Sequence, residues 1–242
     1  MKISILNKLS VGLALIGACA FTSCESGLTY VDVPESVYSE ARVSTYTVKA
    51  RELFEDKIYA VNWNQWVPDY ISTVVIGGSS ELTWVNKTGQ DYTLVDGTVV
   101  APEEEVKLKG QILEESNGEA PDGKLYVMQT YALSKVTYST PNNGYMFDAS
   151  KFSGDFELVE PDENGRARQV KLPVRPNETI VEFTLVDAAA CVVEPVGDAP
   201  KLGVPGDFST PRRYLVKNTT RRPDGVPQAQ RLYEVRVTFL PQ

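Results

Sequence analysis

Apolar and β-branched residues recur along this chain mainly at every second position, in short runs bounded by Gly, Pro, Asn and Asp. That period places alternate side chains on opposite faces of an extended strand, so each run predicts a strand with one buried face. The clearest is 232–240, where Tyr233, Val235, Val237 and Phe239 fall on one face and Glu234, Arg236 and Thr238 on the other. Upstream, strands are expected at 43–49, 70–76, 81–85, 91–95 and 106–113. Further strands are expected at 125–133, 136–139, 145–148, 156–159, 169–174, 180–186, 191–194 and 214–217. Within 180–193, Val181, Phe183 and Leu185 should share a buried face. Helical signal is weak, and its best example is residues 51–57, ArgGluLeuPheGluAspLys.

The punctuation agrees with the runs. ProAspGly at 121–123, ProAsnAsnGly at 141–144, ProAspGluAsnGly at 161–165 and ProAspGly at 223–225 are turn formers, because Pro presets φ while Asn and Gly accept a positive one. GlyGlySerSer at 77–80 also reads as a turn. Many short strands between turns define an all-β chain, an antiparallel β-sandwich of immunoglobulin-like general architecture. The polar stretch 114–123 is the most plausible boundary. It gives an N-terminal sandwich over 37–115 and a C-terminal one over 116–242. The alternative is one large sandwich in which 114–123 is a hairpin loop.

Residues 1–23 have a different pattern. Lys2 and Lys8 precede an apolar, small-residue run, Val11 to Phe21, which is too short to span a bilayer. Ser23 and Cys24 end it, and a polar stretch follows to residue 36. This segment resembles the signal and lipobox of exported lipoproteins of Bacteroidota. The resemblance implies removal of residues 1–23, acylation of Cys24, and a lipidated tether over 24–36. Two or three acyl chains make a stable anchor, each buried CH₂ contributing about 0.8 kcal/mol. The location implied is the outer membrane, with the periplasmic and surface faces both open.

Of three cysteines, that processing leaves Cys191 as the single free thiol. No internal disulfide can then form, and the apolar run around Cys191 predicts a buried structural residue. The chain has 24 basic and 32 acidic residues; without the two signal lysines the balance is 22 against 32, or −10. Such a surface disfavours nucleic acid and adsorption to anionic headgroups, so attachment must come from the lipid.

There is no histidine, which removes Ser-His-Asp and Cys-His triads and His-ligated zinc. A carboxylate pair could still hydrolyse a glycoside. Glu103 to Glu105 and Asp162-Glu163 are local candidates, both more simply read as solvated surface. No calcium loop, phosphate loop or nucleophile elbow is present, and neither cofactor nor metal is expected.

Trp63 and Trp66, two of three tryptophans, are interleaved with Asn62, Asn64, Asp69 and Tyr70. Flat rings beside amides and a carboxylate suit a carbohydrate or peptide pocket; equally, the rings could be core. Arg212, Arg213, Arg221 and Arg222 form a basic patch suited to an acidic envelope partner. AsnLysThr at 86, AsnGluThr at 177 and AsnThrThr at 218 match a glycosylation pattern but receive no such role.

The expected partners are therefore the membrane through the lipid, a glycan or peptide, and another envelope protein. The leading function is a non-enzymatic, membrane-anchored envelope lipoprotein with a binding or assembly role. The alternatives are a carboxylate-dependent glycan hydrolase and, by the same resemblance, a pilus-like or surface-structure component.

Overall fold

The computed structural model describes residues 40–54, 58–60, 65–67, 70–140, 145–151, 156–220, 225 and 228–241. Its first strands are β1 (Val43–Phe54), β2 (Ile58–Ala60), β3 (Gln65–Val67), β4 (Tyr70–Gly78) and β5 (Glu81–Val85). They are followed by β6 (Tyr92–Thr93), β7 (Val99–Val100), β8 (Glu105–Lys109), β9 (Gln111–Ser116) and β10 (Lys124–Leu133). The chain continues through β11 (Lys135–Ser139), β12 (Tyr145–Asp148), β13 (Glu157–Val159), β14 (Arg166–Ala167) and β15 (Gln169–Pro173). Last come β16 (Ile180–Leu185), β17 (Cys191–Val196), β18 (Arg212–Asn218) and β19 (Gln230–Leu240). Among the described residues the helical segments are single 3-10 turns, Ala149–Lys151 and Pro176–Glu178.

The all-β expectation holds, and the layers are sandwich-like. One layer is an eight-stranded sheet in the order β16-β1-β4-β10-β19-β18-β17, with β9 also paired to β10. Facing it are β11-β15-β13 and β14-β12-β2-β3. Tyr46, Val48, Ile76, Met128, Val216 and Val235 from the large sheet close on Val136, Tyr138, Phe147, Val170 and Leu172 in one buried core. As the alternation indicated, Val181, Phe183 and Leu185 contribute to that core from β16.

The expected division at 114–123 is not where the chain divides. Residues Tyr38–Gln242 form one compact unit, and strands from both sides of 114–123 share the large sheet. Residues 117–123 are instead the turn between β9 and β10, closed by Asn117 N–H donating to Gly123 O at 2.9 Å and Gly123 N–H to Ala120 O at 3.0 Å. Polar turn formers mark a reversal of the chain, and that signal is the same for a hairpin as for a boundary.

The sheet is not wholly antiparallel either. β10 and β19 run parallel at its centre, from Leu125↔Leu232 to Leu133↔Leu240. β10 is buried on both faces, as strands in parallel pairs usually are. Tyr126, Met128 and Ala132 enter the main core, whereas Leu125 and Val127 pack with Ala120 and Leu232, and Tyr131 joins a separate small core.

Two expected elements change for tertiary reasons. Residues 51–54, expected in a helix, extend β1, because Arg51 to Phe54 pair with Thr73 to Tyr70 of β4. Ladder bonds outweigh a helical preference worth a few tenths of a kcal/mol per residue. The expected strand 106–113 breaks at Gly110, where the chain leaves the β5-β8 pair to join the large sheet. A Cβ at Gly110 would stand 2.2 Å from Gly78 O, so the crossing needs glycine there.

The glycine pair expected as a turn is a second such approach. Gly77 and Gly78 end β4, and a Cβ on Gly77 would stand 2.0 Å from Tyr131 O. Thr130 Oγ1 both accepts from Gly78 N–H at 3.1 Å and donates to Gly78 O at 2.9 Å. Beyond this crossing, β5 to β8 form a lobe around Trp84, Leu94, Val100, Leu108, Tyr131 and Leu240. The Trp84 indole N–H donates to Pro241 O at 2.7 Å, tying the lobe to the end of β19.

Candidate functional site

A groove of about 460 Å³ opens where β12, β13, β14 and β15 meet. Met146, Val159, Glu160, Asp162, Arg166, Arg168 and Gln169 line it. Its floor follows from strand alternation. Phe147 and Ala167 sit opposite each other and are both buried, Phe147 in the main core, so the flanking Met146 and Arg166 present the other face.

The 161–165 turn builds one wall. Asp162 N–H donates to Arg166 O at 2.7 Å and Gly165 N–H to Asp162 O at 2.9 Å, with Gly165 at φ +71° as the turn requires. The Asp162 carboxylate then accepts the N–H groups of Asn164 and Arg166, both at 2.9 Å, and the Arg166 guanidinium at 3.2 and 3.0 Å. The Arg166 backbone hydrogen bond in particular holds this carboxyl below its usual range, against a smaller opposing effect of burial. Asp162 is thus a structural acceptor with its oxygens committed. Glu160, just before the turn, has φ +50°, a left-handed conformation uncommon outside glycine and one that clusters at ligand sites.

The structure describes the aromatic stretch only in part. Asn62, Trp63, Asn64 and Asp69 lie outside the described residues. Trp66 belongs to β3, but Tyr70 opens β4 in the large sheet, where it pairs with Phe54. One sequence cluster is therefore distributed over two sheets. The backbone register aligns Trp66 with Tyr59 and Tyr59 with Met146, in a single cross-strand row.

The arginine patch also separates. Arg212 is buried, its Nε donating to Asp207 O and its Nη2 to Asp207 Oδ2, both at 2.7 Å, while Nη1 pairs with Asp198. It staples the 198–211 loop and is not presented to a partner; hydrogen bonds from Ser209 and from Arg212 hold Asp207 and Asp198, respectively, below the carboxylate range. Arg213 points to the opposite face and binds Glu234. Arg221, Arg222 and Cys24 lie outside the described residues.

Glu103, the other local acid, has φ +62° and pairs with Lys87 at 3.3 Å, and Glu104 Oε2 accepts Ala101 N–H at 2.8 Å. Asn86 and Asn218 are fully buried. Asn86 Nδ2 donates to Gln90 O and Val100 O, both at 2.8 Å, and Asn218 Nδ2 donates to Glu40 O at 3.2 Å. In each motif the Asn Oδ1 accepts the N–H and hydroxyl of the Thr two residues on, so these amides organise loops.

Cys191 is half-buried at the start of the edge strand β17, its thiol donating to Glu40 O at 3.1 Å. Nothing specific in the local sequence marks Met146, Arg166, Arg168 and Gln169 as groove residues. The i, i+2 spacing of Arg166 and Arg168 was the available signal, but it looks the same on any solvated strand.

No family model matches the chain, and no curated protein matches it. Among solved structures it is similar to the crystal structure of a presumed secreted protein from Bacteroides fragilis. The two share 14% identity over 84% of this chain and 98% of the other, with a TM-score of 0.31. A superposition at that score transfers neither fold nor function.

Proposed function

We propose that this protein is a non-enzymatic, lipid-anchored envelope lipoprotein whose sandwich body binds a glycan along the Met146 groove. The observation that carries the binding site is the groove beside Met146, whose strand β12 pairs in backbone register with β2, and β2 with β3. Met146 lines the groove, whereas Phe147 beside it belongs to the core. A sugar is the ligand class that the Trp- and Asn-rich stretch 62–70 of the sequence suggests, and Arg168 and Gln169 bring polar groups to the groove. Binding is favoured over hydrolysis because Asp162 accepts four hydrogen bonds already. The anchor rests on Lys2, Lys8, the apolar run and Cys24.

Glycan-array retention of Trp66→Ala and Trp63→Ala tests the site. Folded variants that lose retention support it; variants that fail to fold, or that bind as wild type, sink it. For the anchor, Cys24→Ser should move the protein from the membrane to the soluble fraction with its melting temperature unchanged. Unaltered partitioning of that variant refutes lipidation.

A further inference from the structure

A second groove, of about 410 Å³, lies between the lobe and the β11-β15-β13 sheet and is lined by Thr83, Val85, Lys87, Lys135, Glu157 and Lys171. Three ammonium groups and a single carboxylate line it, on a chain whose net charge is −8. Lys135 stands opposite Pro173, and Lys171 opposite Thr137 and Glu157, so the two lysines are diagonal neighbours on one face of adjacent strands. Diagonal positions lie roughly 7 to 8 Å apart, close enough for like charges to repel.

The local carboxylates do not balance them. Lys171 meets Glu157 at a long 3.5 Å, Lys87 meets Glu103 at 3.3 Å with both side chains more than half exposed, and Lys135 has no ion-pair partner among the described residues. Exposed pairs of this kind contribute little. The groove therefore keeps an excess of positive charge that an anion would neutralise.

Its walls stand on packed strands. Behind Thr83 and Val85, Trp84 is buried in the lobe core; behind Lys135 and Lys171, Val136 and Leu172 are buried in the main core. Ser134, immediately before Lys135, donates its N–H to Leu240 O at 3.0 Å and accepts Val174 N–H at 2.7 Å, which fixes where β11 leaves the large sheet. Packed strands fix the backbone positions of these lysines, so the chain itself needs no rearrangement when a ligand arrives.

We propose that this groove binds a small multiply charged anion, a sugar-sized molecule carrying two or more sulfate, phosphate or carboxylate groups. Lysines are point charges rather than planar forks, so they accept any of these oxyanions. A volume of this size fits a small molecule rather than a macromolecular segment. Its lining residues differ from those of the Met146 groove, though Glu157 and Lys171 stand two positions from Val159 and Gln169 on the same paired strands.

Calorimetric titration of the purified full chain at low salt, with inorganic phosphate, a disulfated disaccharide and citrate as probes, tests this. At least one probe should bind, more weakly as salt rises, with Kd about tenfold higher in Lys135→Gln/Lys171→Gln and unchanged in Lys201→Gln. Melting temperatures should match, because all three lysines are surface residues. Phosphate binding as tightly as the disaccharide identifies a simple oxyanion site, and preference for the disaccharide or for citrate identifies the sulfated or the carboxylate class. No binding by any probe, or equal binding by the double variant, overturns the proposal. Trp66→Ala should leave these affinities unchanged.

Discussion

Arg213 on β18 stands directly opposite Glu234 on β19, and its Nε donates to Glu234 Oε2 at 2.7 Å. The other carboxylate oxygen accepts Arg236 Nε at 2.6 Å, and Arg236 reaches on to Glu115 of β9 at 3.0 and 3.2 Å. Glu234 is 6% exposed, while both arginines are more than a third exposed. Burial pushes its carboxyl up, but the two guanidinium hydrogen bonds outweigh this and hold it below the usual range. A carboxyl depressed in the folded state stabilises above its unfolded pKa, and that contribution is lost as pH falls through the folded value. Glu234→Gln should therefore cost about 1 to 3 kcal/mol at neutral pH, less than a fully buried pair because water can solvate the arginines. Urea unfolding across pH should show wild type and variant converging in acid; a constant difference would refute the linkage.

Gly77→Ala should cost more than about 3 kcal/mol or prevent folding, since its methyl would meet the Tyr131 carbonyl and β10 cannot withdraw without breaking the β19 pairing. Gly118→Ala is the matched control, with no atom within 4 Å of the added carbon. Comparable denaturation midpoints for the two would show that the crossing relaxes.

Trp84→Ala should lose about 3 to 5 kcal/mol through the cavity in the lobe core, and Trp84→Phe a smaller amount that includes the Pro241 hydrogen bond. The Tyr92 ring, packed edge-on at 5.2 Å, should become mobile in both. Protection of amides in β5 and β8 by hydrogen exchange reads this directly. Uniform loss across all sheets would instead mean that the lobe does not open separately.

Cys191 should alkylate more slowly in the native protein than after denaturation. Burial first, and the charge of Asp187 second, push its thiol pKa up, and the thiol is engaged with Glu40 O. Its half-buried edge position predicts slowing rather than full protection, and Cys191→Ala should leave ligand binding intact. Native labelling as fast as unfolded labelling would contradict this.

The sequence by itself determined what depends on near neighbours. β5 spans 81–85 as its alternation indicated, β10 and β19 extend the expected runs by one and two residues, and the 161–165 turn forms around Asp162 and Gly165. Period-two side-chain placement and turn φ values are properties of a few adjacent residues, so they are legible without a partner. Even so, Ser44 is an extra residue in β1: Val43 opposes Leu185 but Thr45 opposes Thr184, and the buried set passes from Val43 to Tyr46, Val48 and Ala50. Such a bulge shifts the alternation by one and erases the simple pattern.

Only the tertiary structure decided which strands met. The parallel β10-β19 pair joins residues more than a hundred apart, and the backbone register from Trp66 to Met146 spans about eighty. The same alternation is compatible with many strand orders; burial of both faces of β10 and close backbone approach at Gly77, Gly78 and Gly110 selected this one. Both candidate grooves lie where sheets meet, so each draws its residues from separate runs, and no local spacing could have announced them.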